Sequence, residues 1–160
     1  GLKIRVMKSP LMVNTVNAMG GSATPMAYGE LYTALKQGVL DGGENAAGNV
    51  LNDKFFEVSK YYSITQHFRP PGVVVMSMKT WKSLSGSQQK AISKAAASLQ
   101  NYEIDLTTKV VKQAMKDLKK KGMIINQANV PAFAAAVKPV YKSYSDKYGS
   151  DMINAILNTK

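Results

Sequence analysis

Leu2-Lys3-Ile4-Arg5-Val6, Ala23-Thr24-Pro25-Met26-Ala27 and Val39-Leu40-Asp41 are three short segments that read as extended chain. The first alternates apolar and basic residues at period two, which places Leu2, Ile4 and Val6 on one face of a strand. Between the segments lie two helical stretches. Pro10 opens the first, where Leu11, Val13, Val16 and Met19 recur at helical spacing before Gly20-Gly21. The second runs from Gly29 to Gln37, with Leu31, Ala34 and Leu35 as its apolar stripe and Gly38 in the capping position. Strands alternating with helices of about ten residues across short loops predict a parallel α/β sheet, since parallel neighbours need a crossover between them.

That topology fixes where to look for a site. In open α/β sheets ligands bind beyond the carboxyl ends of the strands. The first strand ends on Arg5, Met7 and Lys8, the second on Met26 and Tyr28, and the third on Glu44 and Asn45. A guanidinium, a phenol and an amide therefore converge on one crevice. From spacing alone Arg5 reads equally as a surface cation or as an anion clamp, Tyr28 as core or pocket wall, and Asn45 as a helix cap or a ligand contact. Glu44 reads as an ion-pair partner or a holder of water. His67, the one histidine, reads as a structural or surface residue or as a cleft residue.

The rest of the chain continues as a helix to about Val58 and a strand over Lys60 to Gln66. After Pro70-Pro71-Gly72, the run Val73-Val74-Val75-Met76 has the continuous apolar character of a strand buried on both faces. Trp81 is expected in the core. Ser85-Gly86-Ser87-Gln88 matches a capping box and opens a helix reaching Lys121, with Ile92, Leu99, Leu106, Val110, Ala114 and Leu118 on one stripe. Gly122 ends it, Met123-Ile124-Ile125 is a further strand, and 130–148 and 151–157 are closing helices.

Composition narrows the function. The chain has 160 residues, 45% of them apolar, which suffices for one domain core without metal or disulfides. It has no cysteine, which excludes thiol nucleophiles and Cys-based zinc sites. No apolar run approaches the roughly 20 residues that span a bilayer. A formal charge of +11 favours an anionic partner. The densest cluster, Lys109, Lys112, Lys116, Lys119, Lys120 and Lys121, occupies the last turns of the long helix, where cations oppose the helix dipole. It lacks interleaved aromatics, and only Arg5 and Arg69 are arginines, so nucleic acid is disfavoured. A basic module that binds nucleic acid or another polyanion is the alternative reading. No catalytic triad order, phosphate-cradling glycine loop or histidine metal pair occurs, so no enzyme, catalytic residue, metal or cofactor is expected.

Residues 1–62 resemble the second lobe of solute-binding proteins of TRAP transporters, the DctP family. Leu2-Lys3-Ile4-Arg5-Val6, the stretch Ala23 to Gly38 with Pro25-Met26-Ala27-Tyr28-Gly29-Glu30, Leu40-Asp41-Gly42-Gly43-Glu44-Asn45 and Lys54-Phe55-Phe56-Glu57-Val58 carry the likeness. Trp81-Lys82-Ser83-Leu84 before the long helix extends it, more loosely after Gly122. Gly43 and Ala46 depart from the family's usual glutamine and proline. The resemblance implies a periplasmic-binding-protein-like α/β lobe with a parallel sheet, a long helix and closing helices, forming the carboxyl-terminal half of a two-lobed protein. It divides residues 1–160 into a lobe core at 1–69, a strand crossing to the other lobe at 70–84, the long helix at 85–121 and a closing part at 122–160. It implies a periplasmic protein that captures a small organic carboxylate, possibly a dicarboxylate, and delivers it to membrane permease subunits. Arg5 is then expected to grip the carboxylate, with Asn45 and Tyr28 lining the pocket. Lys8, Met26 and His67 complete the expected ligand-binding set. An uncovered Val73–Met76 implies self-association of the chain on its own.

Overall fold

The three opening β-segments form one parallel sheet in the computed structural model, which describes residues 1–159. Lys160, the last residue of the expected closing part, lies outside the described residues. β1 (Lys3–Val6) is central, flanked by β2 (Ser22–Pro25) and β3 (Gly42–Gly43) in the order β2-β1-β3. Arg5 pairs in register with Thr24 on one side and Gly43 on the other, so it sits near the end of the middle strand. α1 (Pro10–Ala18) joins β1 to β2, and a 3₁₀ turn at Tyr28–Glu30 leads into α2 (Leu31–Lys36). Gly20, at φ 89°, stops α1 with a backbone conformation that a side chain would strain.

β3 falls two to three residues later than expected. The Asp41 amide hydrogen-bonds to the Lys3 carbonyl at 2.9 Å, while the Asp41 carboxylate accepts from the Lys3 amide at 2.7 Å. Asp41 thereby fixes the entry to the sheet, and the ladder proper begins at Gly42.

α3 (Ala47–Asn52) is shorter than the helix expected to run to Val58. Lys54 adopts a left-handed φ of 58° and a 3₁₀ turn at Phe55–Glu57 follows, which turns Phe55 inward. β4 (Tyr61–Ile64) then leads to an irregular stretch, α4 (Met78–Ser83) and the 35-residue α5 (Gly86–Lys120). The capping box opens α5 as expected: the Ser85 hydroxyl accepts from the Gln88 amide at 3.3 Å, and the Gln88 side chain accepts from the Ser85 amide at 2.8 Å. Gly122, at φ 90°, turns the chain into β5 (Ile124–Gln127), which pairs in parallel with β4 as a second sheet. α6 (Val130–Ala136), α7 (Lys138–Tyr148) and α8 (Asp151–Leu157) close the chain. The single helix expected over 130–148 is divided because Pro139, in the first turn of α7, has no N–H to continue a helix from α6.

Two apolar clusters hold these parts. Val6, Met12 and Val16 pack α1 against one face of β1. On the other side Leu31, Leu40, Ala47, Val50, Phe55, Ala114, Leu118 and Met123 bring together α2, α3, the final turns of α5 and the entry to β5. Strand alternation separates Val6 from Arg5, so Arg5 points away from the α1 cluster.

Three core expectations are corrected. Val73, Val74 and Val75 form no strand and are 78%, 78% and 84% exposed, because no strand of the described residues pairs with them to take their backbone hydrogen bonds. Along α5 only Ala114 and Leu118 are buried; Ile92, Leu99, Leu106 and Val110 of the same stripe are exposed. Trp81 is only half-buried, on a helix with no buried residue.

Candidate ligand-binding site

A groove of about 1020 Å³ runs along β1, from Leu2, Met19 and Gly20 near its amino end to Arg5, Met7 and Glu44–Asn45 past the carboxyl ends of β1 and β3, and on to the strand end after β4 and Phe133 of α6. Arg5 is its most enclosed polar residue, 5% exposed. Its Nε donates to the Met26 carbonyl at 3.0 Å, and its guanidinium carbon stands 5.5 Å from the centre of the Tyr28 ring. These two contacts fix the plane of the group. Among the described residues the two terminal nitrogens make no protein hydrogen bond, yet neither is sealed from solvent. The end of the fork is thus available for two parallel bonds to a planar anion.

Tyr28 is held rather than free. Its hydroxyl donates to the Asp53 carboxylate and accepts from Asn45 Nδ2 at 3.0 Å, and its ring meets Phe55 edge to face at 5.9 Å. Burial, with the neighbouring Asp53 carboxylate, pushes its phenol up to about 12, so the hydroxyl stays protonated at physiological pH. Asn45 is equally committed. Its Oδ1 accepts from the Ala46 amide at 2.9 Å and from Asn49 Nδ2 at 2.7 Å, and its carbonyl accepts from the Tyr62 hydroxyl at 3.1 Å. Among the described residues the second N–H of Asn45 makes no hydrogen bond, and Asn45 lines the same cleft as Arg5. Ala46 is the N-cap of α3 and no side chain caps that helix, so Asn45 holds the turn before it and faces the cleft at once.

The expected site residues separate in space. Arg5, Tyr28, Asn45 and His67 line the cleft; Lys8 does not, and is exposed beyond the strand end. Met26 contributes its backbone carbonyl, while its side chain packs against the larger apolar cluster. Asp53, Asn49 and Tyr62 were not expected at the site. Only Asn49 left a trace in the sequence, lying four residues, one helical turn, after Asn45.

His67 sits at the far end of the cleft. Its Nδ1 is 2.6 Å from the Thr65 hydroxyl, and its Nε2 is buried without a partner. Burial holds its imidazole below the usual value of 6.5. Folded protein thus binds fewer protons than unfolded chain as pH falls through about 6.5, so this group's contribution is intact above that pH and is lost below it. Because this histidine is the chain's only one, its ring protons give one resolved NMR titration, expected with a midpoint under 6.5. A midpoint at or above that value would mean the ring is solvated.

The α/β lobe thus presents a seated guanidinium at its strand ends, on the wall of an open cleft. The chain belongs to the DctP family, the bacterial extracellular solute-binding proteins of family 7, whose model matches residues 1–147. A solute-binding protein of Chromohalobacter salexigens is 36% identical over 92% of this chain and 44% of its own length. Among solved structures, a TRAP periplasmic solute-binding protein of Sulfitobacter sp. NAS-14.1 with bound β-D-galacturonate superposes with a TM-score of 0.91 at 36% identity, over 99% of this chain and 54% of that one. A second, from Pseudomonas putida F1 with bound D-glucuronate, gives 0.90 at 34% identity over 100% and 52%. The chain spans about half the length of the relatives it matches. Its mixed α/β fold with parallel sheets and a long helix is the fold of those proteins. No helix of the described residues is long and apolar enough to cross a membrane.

Proposed function

We propose that this chain is one wall of the cleft of a periplasmic TRAP-transporter receptor, which captures a small organic carboxylate and delivers it to the membrane permease. It acts by binding and release, without chemistry. The observation that carries this reading is the Arg5 guanidinium: enclosed, oriented by Met26 and Tyr28, with its terminal nitrogens unspent. Such a group costs free energy to bury unless an anion completes its hydrogen bonds. Asn45, whose second N–H is unspent among the described residues, adds a neutral donor in the same cleft. Relatives that hold galacturonate and glucuronate support sugar acids as the ligand class.

The rest of the polypeptide supplies the opposing wall. In the full-length protein it lies against Val73–Val75 and the outward apolar face of α5, and without it those surfaces drive the chain to self-associate. Ligand that touches both walls favours the closed form, since only contacts that differ between states shift their populations.

Native mass spectrometry of the full-length protein, purified with whatever it carries, is expected to show one bound organic acid. A thermal-shift panel should show stabilisation by D-galacturonate or D-glucuronate. No shift with any carboxylate, together with duplex DNA binding that weakens steeply with salt, would replace this reading with the polyanion-binding alternative.

A further inference from the structure

Asp53 stands at the carboxyl end of α3, exposed, and is not among the residues that line the cleft. In a chain with 21 lysines and arginines against 10 acids, an exposed carboxylate has many cations to choose from. Among the described residues Asp53 forms no ion pair, not even with Lys54 beside it, and its side chain takes its one hydrogen bond from a neutral group, the Tyr28 hydroxyl. The backbone is set for this contact. The Asp53 amide, at the C-cap of α3, donates to the Asn49 carbonyl at 2.9 Å, and the left-handed φ of 58° at Lys54 then redirects the chain.

Donor and acceptor counts give the contact a direction. A carboxylate only accepts, so Tyr28 spends its single O–H on Asp53 and keeps its lone pairs for Asn45, whose Nδ2 donates to it at 3.0 Å. Asn45 Oδ1 is then left for the Ala46 amide and Asn49. One phenol oxygen therefore ties both ends of α3, Asn45 before it and Asp53 after it, to the turn that carries Tyr28. The same ring flanks the Arg5 guanidinium at 5.5 Å and meets Phe55 edge to face at 5.9 Å. Pinned at its hydroxyl and braced at its edge, it has little freedom to swing from under the cation it attracts.

We propose that Asp53 is a positioning residue of the carboxylate site: by holding the Tyr28 hydroxyl from outside the cleft, it fixes the ring that flanks Arg5 and the amide of Asn45. The inference rests on the carboxylate-receptor reading above and deepens it. Asp53 acts through Tyr28, without ligand contact of its own. That role has a sign opposite to electrostatics. Removing a negative charge near an anion site should by itself strengthen anion binding, whereas removing the anchor of Tyr28 weakens it.

The test is calorimetry on the full-length protein with D-galacturonate and D-glucuronate. Asp53→Ala is expected to weaken binding about fivefold, within the range for groups coupled in one network, with little change in melting temperature because the side chain is exposed. Asp53→Asn removes the charge but keeps an acceptor oxygen for the hydroxyl, so it should bind at least as tightly as wild type. Tyr28→Phe, which keeps the ring and loses the hydroxyl, should weaken binding by a similar factor, and in that background Asp53→Ala should cost nothing further. Equal losses from Asp53→Ala in both backgrounds would overturn the assignment, since the effect would not pass through Tyr28. An Asp53→Asn variant as weak as Asp53→Ala would overturn it too, because an acceptor would then be without effect. Unchanged or tighter binding by Asp53→Ala, while Arg5→Lys still weakens it, would overturn the assignment and leave the receptor reading standing. If wild type binds neither acid nor any other carboxylate, both fall.

Discussion

Arg5→Lys in the full-length protein weakens carboxylate binding at least tenfold, and Arg5→Ala weakens it further. The native guanidinium spends Nε on the Met26 carbonyl at 3.0 Å and keeps both terminal nitrogens for the ligand. An ammonium is a point charge that cannot hold the carbonyl and grip two oxygens in one plane. Lysine therefore either abandons Met26, leaving a partly buried carbonyl without its donor, or meets the anion with a single bond. A charge-assisted hydrogen bond is worth about 1.5–3 kcal/mol, which corresponds to roughly ten- to a hundredfold in affinity. With alanine the ligand carboxylate enters the cleft unpaired, and losing one partner of a buried charged pair costs about 2–5 kcal/mol. Titration calorimetry gives the affinities, and circular dichroism of the unliganded variants shows whether the sheet survives. Unchanged affinity in a folded Arg5→Lys variant would put the carboxylate elsewhere.

The parts of this site that were legible in the sequence are those set by local rules. Period-two alternation in Leu2–Val6, the Pro10 helix start and the Ser85–Gln88 capping box each depend on neighbours within a few residues, and each appears where expected. The parallel sheet followed because short alternating units leave few other topologies. Misreadings arose where a residue's environment comes from far along the chain or from outside it. Val73–Val75 have the composition of a buried strand, yet burial requires a neighbour that the described residues do not provide. The apolar stripe of α5 reads as uniform from Ile92 to Leu118, but only the final turns reach α3 and Met123. Tyr28 meets Asp53 across 25 residues, and no spacing rule announces that pairing. It makes Tyr28 a pocket wall whose hydroxyl is already spent on Asp53 and Asn45. Lys8 illustrates the opposite error: closeness in sequence to a strand end does not turn a side chain into the cleft.

Leu118→Ala is expected to destabilise the chain by about 2–5 kcal/mol, the range for removing a large aliphatic side chain from a closed core. Leu118 is 0% exposed and shares its cluster with Leu31, Val50, Phe55, Ala114 and Met123, so it ties the end of α5 to α2, α3 and the entry to β5. Leu106→Ala, three turns earlier on the same stripe, removes the same atoms from an exposed position and should cost well under 1 kcal/mol in this chain. Urea denaturation of both variants measures the contrast directly. If the opposing wall proposed above packs against the outer face of α5, the full-length protein should reverse part of it by making Leu106 interior. The cleft feels Leu118 as well, through Phe55: that ring lies in the same cluster and supports Tyr28 edge to face at 5.9 Å, and Tyr28 in turn flanks Arg5. A cavity beneath Phe55 loosens this stack without removing any ligand contact. Leu118→Ala in the full-length protein should therefore lower carboxylate affinity by less than Arg5→Lys does, even though it costs more stability. A loss below 1 kcal/mol for Leu118→Ala would show that the end of α5 is not anchored as described, and with it that the floor of the cleft is not fixed by this core.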